Sequence, residues 1–166
     1  MREAPAKRTP SAARGAWGRV LFATTAVAVF VADRVTKALV EASIPVGVEH
    51  PLIDHRVWLT HVQNSGAAFG VAPLGSVFFL AVSLAVALAL IVVEARRGTL
   101  SGIDPLLGLV LGGSLGNAYD RLFNGGSVTD FVALHFWPVF NVADASITVG
   151  VAALVLGYGL RKGQSS

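Results

Sequence analysis

Long apolar stretches alternate with shorter polar segments along this chain, and four of the stretches are long enough to cross a bilayer. A membrane-spanning helix needs about 20 predominantly apolar residues. The four stretches run from about Trp17 to Leu39, Leu74 to Val93, Ile103 to Phe123 and Phe140 to Leu160. The second of them contains no charged residue. The pattern therefore predicts an all-α membrane protein, a bundle of four transmembrane helices.

Two polar connections between these spans hold most of the remaining polar residues. The first runs from about Val40 to Pro73, and within it the run from Val57 to Val62 is rich in strand-forming residues. The second runs from about Asn124 to Val139. Trp58 and Trp137, one in each connection, are suited to the level of the lipid headgroups. We therefore expect a small β-sheet element outside the bilayer, beside the helical bundle.

Composition agrees with a membrane protein and excludes several other classes. The chain has 166 residues, of which 54% are hydrophobic and 14% are charged, and its mean hydropathy is +0.65. Soluble domains are about 25% charged, so a water-soluble fold would leave much apolar surface uncovered. No cysteine is present, so disulfides and thiol chemistry play no part.

The basic residues predict how the chain is oriented. Nine of the thirteen Lys and Arg residues lie between Arg2 and Arg19, at Arg96-Arg97 and at Arg161-Lys162. Positive charge concentrates on cytoplasmic flanks, so both termini are expected in the cytoplasm and the two polar connections outside. The chain then divides into a basic, disordered tail over 1–16, one membrane domain over 17–160 and a cytoplasmic tail over 161–166. This distribution forms no nucleic-acid-binding patch.

Three glycines in the third stretch predict close helix packing. Gly108, Gly112 and Gly116 recur every four residues, so they share one helical face that a second helix can approach. Asn117 and Asp120 follow directly along the same helix. A tightly packed helix would hold these two polar side chains in fixed positions.

Carboxylates cluster near the outer ends of the last two stretches. Asp130 lies in the second polar connection, and Asp144 lies about one turn into the last span on the same face as Asn141. Acids in such places are costly and usually functional. Two carboxylates held close together cannot both ionise readily, so one keeps its proton near neutral pH. An aspartic protease uses this arrangement, with one carboxylate accepting a proton from water and the other donating to the carbonyl oxygen.

Five motifs resemble those of the lipoprotein signal peptidase (signal peptidase II) family, in the family's order. The similarity covers the region from Asp33 to Ile147. The motifs are Asp33-x-x-x-Lys37, Asn64-Ser65-Gly66-Ala67-Ala68-Phe69-Gly70, Gly112-Gly113-Ser114-Leu115-Gly116-Asn117-Ala118-Tyr119-Asp120-Arg121, Val128-Thr129-Asp130-Phe131 and Phe140-Asn141-Val142-Ala143-Asp144. The chain departs from the family pattern at Arg34, where Gln is common, at Ser114, where Ala is usual, and in the order of Ala145-Ser146.

The resemblance implies an intramembrane aspartic endopeptidase that removes the signal peptide from lipid-modified prolipoproteins, cutting on the amino side of the diacylglyceryl-cysteine. It implies that the protein lies in the bacterial cytoplasmic membrane as a monomer, with its active site at the extracytoplasmic face. Prolipoprotein and membrane lipid are the expected partners, and no cofactor or metal is expected. The implied catalytic pair is Asp130 and Asp144. The residues implied to bind substrate or support the site are Asp33, Lys37, Asn64, Gly66, Asn117, Asp120, Arg121 and Asn141.

Physical arguments suggest roles for some of these supporting residues and leave others open. Asn117 and Asn141 can donate to a carboxylate or a substrate carbonyl without adding charge. Arg121 is expected to pair with Asp120 or another acid. The Asp33–Lys37 pair also fits a plain helical ion pair, and Asn64-Ser65-Gly66 also fits a plain turn.

Other functional classes have weaker support in the sequence. The histidines show no metal-binding spacing and are interpreted as surface or interface residues; they are His50, His55, His61 and His135. No Gly-x-Ser-x-Gly motif supports a serine mechanism. A small proton- or ion-coupled transporter remains an alternative because it too would carry acids at helix ends, although these acids lie at one surface only. A membrane scaffold without enzymatic activity is a third possibility, in which the aspartates would tolerate substitution.

Overall fold

The protein is mainly α-helical, with one small antiparallel sheet. The computed structural model describes residues 11–54, 56–66, 72–96 and 102–163. These residues form α1 (Ser11–Ser43), β1 (Glu49–Ile53), β2 (Val57–Asn64), α2 (Ala72–Arg96), α3 (Asp104–Phe123), β3 (Val128–Ala133) and α4 (Val142–Gly163). The prediction of a helical protein with a small sheet is thus confirmed.

Within the part of the chain that the structure describes, two helical segments are long and apolar enough to cross a membrane, namely Gly15–Ser43 in α1 and Gly75–Arg96 in α2. In α4 the apolar segment is shorter and covers Val142–Gly157. Four spans therefore stay a prediction.

Helix extends into both segments that the sequence assigned to tails. α1 begins at Ser11, so residues 11–16 are helical and their assignment to a disordered tail is wrong. At the other end, α4 continues through Arg161 and Lys162 to Gly163. The end of an apolar run marks the end of a predicted span, but Ala, Arg and Lys are strong helix formers and extend a helix beyond it. Residues 1–10 and 164–166 lie outside the described residues.

α3 occupies the centre of the bundle and contacts each of the other three helices. Its glycines permit this, as predicted from their spacing. A Cβ at Gly112 would lie 2.5 Å from the Ala26 carbonyl oxygen of α1. On another face of α3, a Cβ at Gly113 would lie 2.5 Å from the Ala143 carbonyl oxygen of α4. Both distances are below van der Waals contact, so α1 and α4 approach the α3 backbone as closely as glycine allows.

The sheet has the order β1-β2-β3, and both neighbouring pairs are antiparallel. β2 contains the strand predicted from Val57 to Val62 and continues to Asn64. Phe131 of β3 packs against Val40 and Ile44 near the end of α1, so one face of the sheet rests on that helix. The other face of β3 carries Asp130, because side chains alternate across a strand.

One of the four histidines predicted to lie at a surface or interface is buried instead. His61 lies on β2 with 6% of its surface exposed, and its Nδ1 is 2.8 Å from the Ile44 carbonyl oxygen of α1. No local pattern around His61 predicts that α1 and β2 enclose its ring. His50 and His135 are exposed, as expected, and His55 lies outside the described residues.

Candidate active site

Asn141 and Asp144 fix each other at the start of α4. The Asp144 backbone N–H donates to Asn141 Oδ1 at 2.8 Å, and the Asn141 backbone N–H donates to Asp144 Oδ2 at 3.3 Å. This reciprocal pair is a capping box, with the acid at the third helical position. It satisfies two backbone donors that a helix start leaves unpaired, and it holds the Asp144 carboxylate at the first turn.

Asn141 also reaches the second carboxylate of the predicted pair. Its side-chain Nδ2 donates to Asp130 Oδ1 at 2.7 Å, and Asn64 Nδ2, at the end of β2, donates to Asp130 Oδ2 at 2.9 Å. Asn117 Nδ2 of α3 donates to Asp144 Oδ1 at 2.7 Å. The structure therefore brings Asp130 and Asp144 to the same place and links them through one asparagine. The predicted donor roles of Asn117 and Asn141 match these bonds.

Asp130 lies in surroundings that favour its protonated form. Burial raises the pKa of Asp130 from 3.8 to about 6, because only 2% of the residue is exposed and water cannot solvate the charge. The negative charge of Asp144 acts in the same direction. Hydrogen bonds from Asn64 and Asn141 stabilise the ionised form and limit the rise.

A buried ionic cluster lies between α1 and α3. Lys37 Nζ is 2.8 Å from Asp33 Oδ2 and 2.8 Å from Asp120 Oδ2, and the three side chains are at most 1% exposed. The same ammonium group donates to Asn117 Oδ1 at 3.2 Å. The plain helical pair that the sequence allowed is thus present, but Lys37 also bridges to α3 and to the asparagine that holds Asp144.

Asp33 connects this cluster to the start of α4. Its Oδ1 accepts a hydrogen bond from the Ala143 backbone N–H at 3.0 Å. A Cβ at Gly116 would lie 2.5 Å from Asp33 Oδ2, so the glycine makes room for the carboxylate. An acid at a helix N-terminus satisfies an otherwise unpaired donor and interacts favourably with the helix dipole.

Of the two pairings allowed for Arg121, with Asp120 or with another acid, the structure gives no ion pair with Asp120 within the described residues, and the carboxylate that acts most strongly on Arg121 is that of Asp144. Asp120 pairs instead with Lys37 and with Arg34, whose guanidinium also lies 4.4 Å from the centre of the Tyr119 ring. Arg121 Nη1 donates to the Asn117 carbonyl oxygen at 3.2 Å, and within the described residues it forms no ion pair. Successive residues on a helix point about 100° apart, so Asp120 faces α1 while Arg121 faces away from it.

The segment around Asn64 is the predicted turn. Gly66 has φ +74°, and its backbone N–H donates to Asn64 Oδ1 at 2.9 Å, which makes an Asx-type turn. A Cβ at Gly66 would lie 2.8 Å from the Phe79 ring of α2. Asn64 thus shapes the turn with its oxygen and holds Asp130 with its nitrogen. Residues 67–70 of this motif lie outside the described residues.

Several polar residues near the site were not singled out from the sequence. In the sequence, Arg34 stands out only as a departure from the family pattern. A cation within a predicted span nevertheless needs an acidic partner. Glu41, Gln63 and Asn124 surround the Thr129 hydroxyl, beside Asp130. They belong to three separate segments, so no local pattern could have connected them.

An apolar cavity adjoins one of the two carboxylates. It has a volume of about 240 Å³ and is lined by Leu134, Phe136, Trp137, Phe140, Asp144, Ala145, Thr148 and Val149. Two carboxylates held by neutral amides, with an apolar space beside them, can together activate water and protonate a carbonyl oxygen near a hydrophobic ligand.

Comparison with known proteins gives consistent results. The model of the family described as Signal peptidase (SPase) II matches residues 25–159. A lipoprotein signal peptidase of Syntrophomonas wolfei is 41% identical over 141 residues, which are 84% of this chain and 89% of that protein. The corresponding protein of Aquifex aeolicus is 37% identical over 151 residues, 86% of this chain and 87% of that one.

Solved structures resemble the fold as well. A bacterial membrane enzyme determined by the in meso method at 2.3 Å resolution has a TM-score of 0.78 at 27% identity, covering 87% of this chain and 91% of that chain. Another, at 1.9 Å resolution, has a TM-score of 0.76 at 28% identity. Nothing in these similarities supports the transporter alternative. The chain is an integral membrane peptidase that belongs to the signal peptidase II family.

Proposed function

We propose that this peptidase is of the aspartic type and that Asp130 and Asp144 are its catalytic pair. Its substrate is a lipid-modified prolipoprotein, cut on the amino side of the diacylglyceryl-cysteine. The residues proposed to bind substrate or support the pair are Asp33, Lys37, Asn64, Gly66, Asn117, Asp120, Arg121 and Asn141. The relatives from Syntrophomonas wolfei and Aquifex aeolicus are named for activity on lipoproteins, which supports the substrate class.

One observation carries the assignment of the pair. Asn141 donates to Asp130 with its side chain and exchanges two hydrogen bonds with Asp144. The two carboxylates come from different elements, β3 and α4, and within the described residues neither forms an ion pair. Neutral amide donors orient both groups while leaving a shared proton available for transfer.

The raised pKa of Asp130 distinguishes the two roles. A carboxyl group whose pKa is about 6 carries a proton near neutral pH far more often than an ordinary aspartate does. We assign Asp130 as the initial proton donor to the carbonyl oxygen of the scissile peptide. Asp144 is assigned as the base that takes a proton from the attacking water.

The reaction then balances in two steps. In the first, water oxygen bonds to the carbonyl carbon, Asp144 takes one water proton, and Asp130 gives its proton to the carbonyl oxygen. In the second, Asp144 passes its proton to the peptide nitrogen and Asp130 recovers a proton from a hydroxyl of the intermediate. The carbon–nitrogen bond breaks, which leaves a carboxylic acid on the signal peptide and a free amine on the lipid-bearing cysteine.

The proposed setting is the bacterial cytoplasmic membrane, which the chain crosses four times through α1 to α4. Both termini lie in the cytoplasm, the sheet and the catalytic pair lie at the outer surface, and the enzyme acts as a monomer surrounded by lipid. The apolar lengths of α1 and α2 support two of these crossings directly. Arg96 at the end of α2 supports the orientation, since basic residues favour the cytoplasmic side.

The lipid on the substrate is expected to raise cleavage strongly. The cavity beside Asp144 is lined mostly by apolar side chains, and each buried methylene contributes roughly 0.8 kcal/mol. We expect a lipidated precursor to be cut at least about 100-fold more efficiently, in kcat/KM, than the same precursor without lipid. Signal-peptide release from the two precursors in detergent micelles measures this. Equal cleavage of both would contradict the substrate assignment.

The pH dependence follows from the role assigned to Asp130. Because the free enzyme must hold a proton on Asp130, kcat/KM should fall about tenfold per pH unit above about pH 6. The hydrogen bond from Asn64 stabilises the ionised carboxylate, so Asn64→Ala should raise the pKa and move this decline upward by about one pH unit. Ser65→Ala in the same turn is the control. If the decline in kcat/KM moves to lower pH in Asn64→Ala, or does not move, the assignment of Asp130 as the initial proton donor is wrong.

A further inference from the structure

The Thr129 hydroxyl lies at a point where four segments of the chain meet. Thr129 is 0% exposed, and its Oγ1 donates to Glu41 Oε1 of α1 at 2.6 Å. The same oxygen accepts from Gln63 Nε2 of β2 at 3.0 Å and from Asn124 Nδ2, just after α3, at 3.3 Å. One donated and two accepted bonds use the full capacity of a hydroxyl group.

These bonds are possible in only one arrangement of donors. Gln63 Nε2 is also 2.9 Å from His61 Nε2, and Gln63 Oε1 accepts from Asn124 Nδ2 at 3.2 Å. Both amide groups therefore point their hydrogens at Thr129, and the hydroxyl hydrogen is left for Glu41. A carboxylate accepts such a bond strongly, so Glu41 is the partner that fixes the direction of the hydroxyl.

Thr129 immediately precedes Asp130 in β3, so the position of one residue affects that of the other. Its side chain faces α1, whereas the side chain of Asp130 points to the opposite face of β3. The Thr129 backbone N–H is held separately, by Asp120 Oδ2 at 3.3 Å. A short strand held on both sides in this way moves as a unit, so a shift at the hydroxyl displaces the Asp130 carboxylate relative to Asp144.

We propose that Glu41, acting through the Thr129 hydroxyl, is a positioning residue for the catalytic pair. The proposal rests on the assignment of Asp130 and Asp144 above. Glu41 lies near the outer end of α1 and touches neither carboxylate. Its function is to hold β3 against α1, so that Asp130 keeps its position relative to Asp144 and the attacking water. A misplacement of about 1 Å in a catalytic group can cost up to about 100-fold in rate.

The test compares two hydroxyl deletions in the same sheet. Thr129→Val keeps the shape but removes all three bonds, and Thr129→Ser retains the hydroxyl. Thr60→Val is the matched control, because Thr60 is 1% exposed and its Oγ1 donates to the Val48 carbonyl oxygen at 2.9 Å, away from the pair. We expect Thr129→Val to lower kcat about tenfold or more with KM unchanged. Thr129→Ser and Thr60→Val should keep the wild-type kcat.

Thermal unfolding in micelles separates positioning from stability. Both valine variants should lower the unfolding temperature, Thr129→Val by more, since it removes three hydrogen bonds of a buried hydroxyl and Thr60→Val removes one. If Thr129→Val lowers only the unfolding temperature, or if Thr60→Val lowers kcat equally, the proposal is wrong.

A double-mutant comparison tests whether Glu41 acts through Thr129. Glu41→Ala should lower kcat severalfold, Glu41→Gln should restore most of it because its amide oxygen can accept the same bond, and Glu41→Ala with Thr129→Val should be no worse than Thr129→Val alone. If the fold-losses in kcat of the two single variants multiply in the double variant, Glu41 acts independently of Thr129. Asp144→Asn serves as the reference: if that variant still cleaves, the proposed function fails, whereas a normal kcat in Thr129→Val overturns only the positioning role.

Discussion

Asp144→Asn and Asp130→Asn are each expected to abolish cleavage of the lipidated precursor, with kcat reduced by at least about 1,000-fold. An amide in place of Asp144 cannot take a proton from water. An amide in place of Asp130 cannot give one to the carbonyl oxygen and later recover it. The loss should appear in kcat more than in KM, because both groups act on the reacting atoms and not on the rest of the substrate. Signal-peptide release at saturating substrate measures it.

Loss of folding cannot account for the result in Asp130→Asn, since the buried charge on Asp130 destabilises the folded state. The pKa of Asp130 is raised from 3.8 to about 6 in the folded protein, so the folded state binds the proton more tightly than the unfolded chain does. Stability therefore falls as pH rises through this interval, by up to about 3 kcal/mol. Above pH 6, Asp130→Asn removes that cost and should unfold no more easily than the wild type.

Asp54→Asn is the matched control for the catalytic variants. Asp54 is an exposed acid outside the site, with φ +42°, a conformation that asparagine adopts well. It should cleave at the wild-type rate. Full activity in either Asp130→Asn or Asp144→Asn would refute the aspartic mechanism.

Lys37→Met is expected to have the largest effect on stability. Lys37 contacts Asp33 and Asp120 at 2.8 Å each, and all three side chains are at most 1% exposed. Without the ammonium group, the Ala143 backbone N–H is the one donor that Asp33 keeps among the residues described by the structure. Removing one partner of a buried ion pair costs about 3–5 kcal/mol, because the remaining charge is neither solvated nor paired. The variant should show a large drop in unfolding temperature or fail to accumulate.

A second variant checks that the unpaired charge is the cause. Asp33→Asn combined with Lys37→Met removes an acid together with the base, and it leaves Asp120 paired with Arg34. We expect this double variant to be more stable than Lys37→Met alone. Arg56→Met removes an exposed cation and should leave the unfolding temperature unchanged. If the double variant has a lower unfolding temperature than Lys37→Met alone, the side chains of Asp33 and Lys37 matter for packing and not for charge.

The helices could be predicted from the sequence because long apolar runs have few other stable forms in a bilayer. Their ends could not, since polar helix formers such as Arg14 and Arg161 continue α1 and α4 beyond the apolar run. Only β2 was evident among the strands. β1 contains Pro51, which edge strands tolerate but sequence patterns count against. β3 is only six residues long and carries Asp130 at a buried position.

The candidate pair was visible in the sequence because Asn141 and Asp144 are local to one helix turn and Asp130 is close in the chain. The ionic cluster was not, because it depends on how α1 rotates against α3. The sequence allowed Lys37 a partner one turn away but could not reveal Asp120, 83 positions later. The same rotation decides that Arg34, and not Arg121, meets Asp120. Such pairings follow from tertiary contact and leave no periodic signal.

The capping box of α4 makes the proposed catalytic pair a property of the completed fold. Asn141 caps the start of α4 and also bonds to both carboxylates, so a chain in which α4 has not yet formed does not hold Asp130 and Asp144 together.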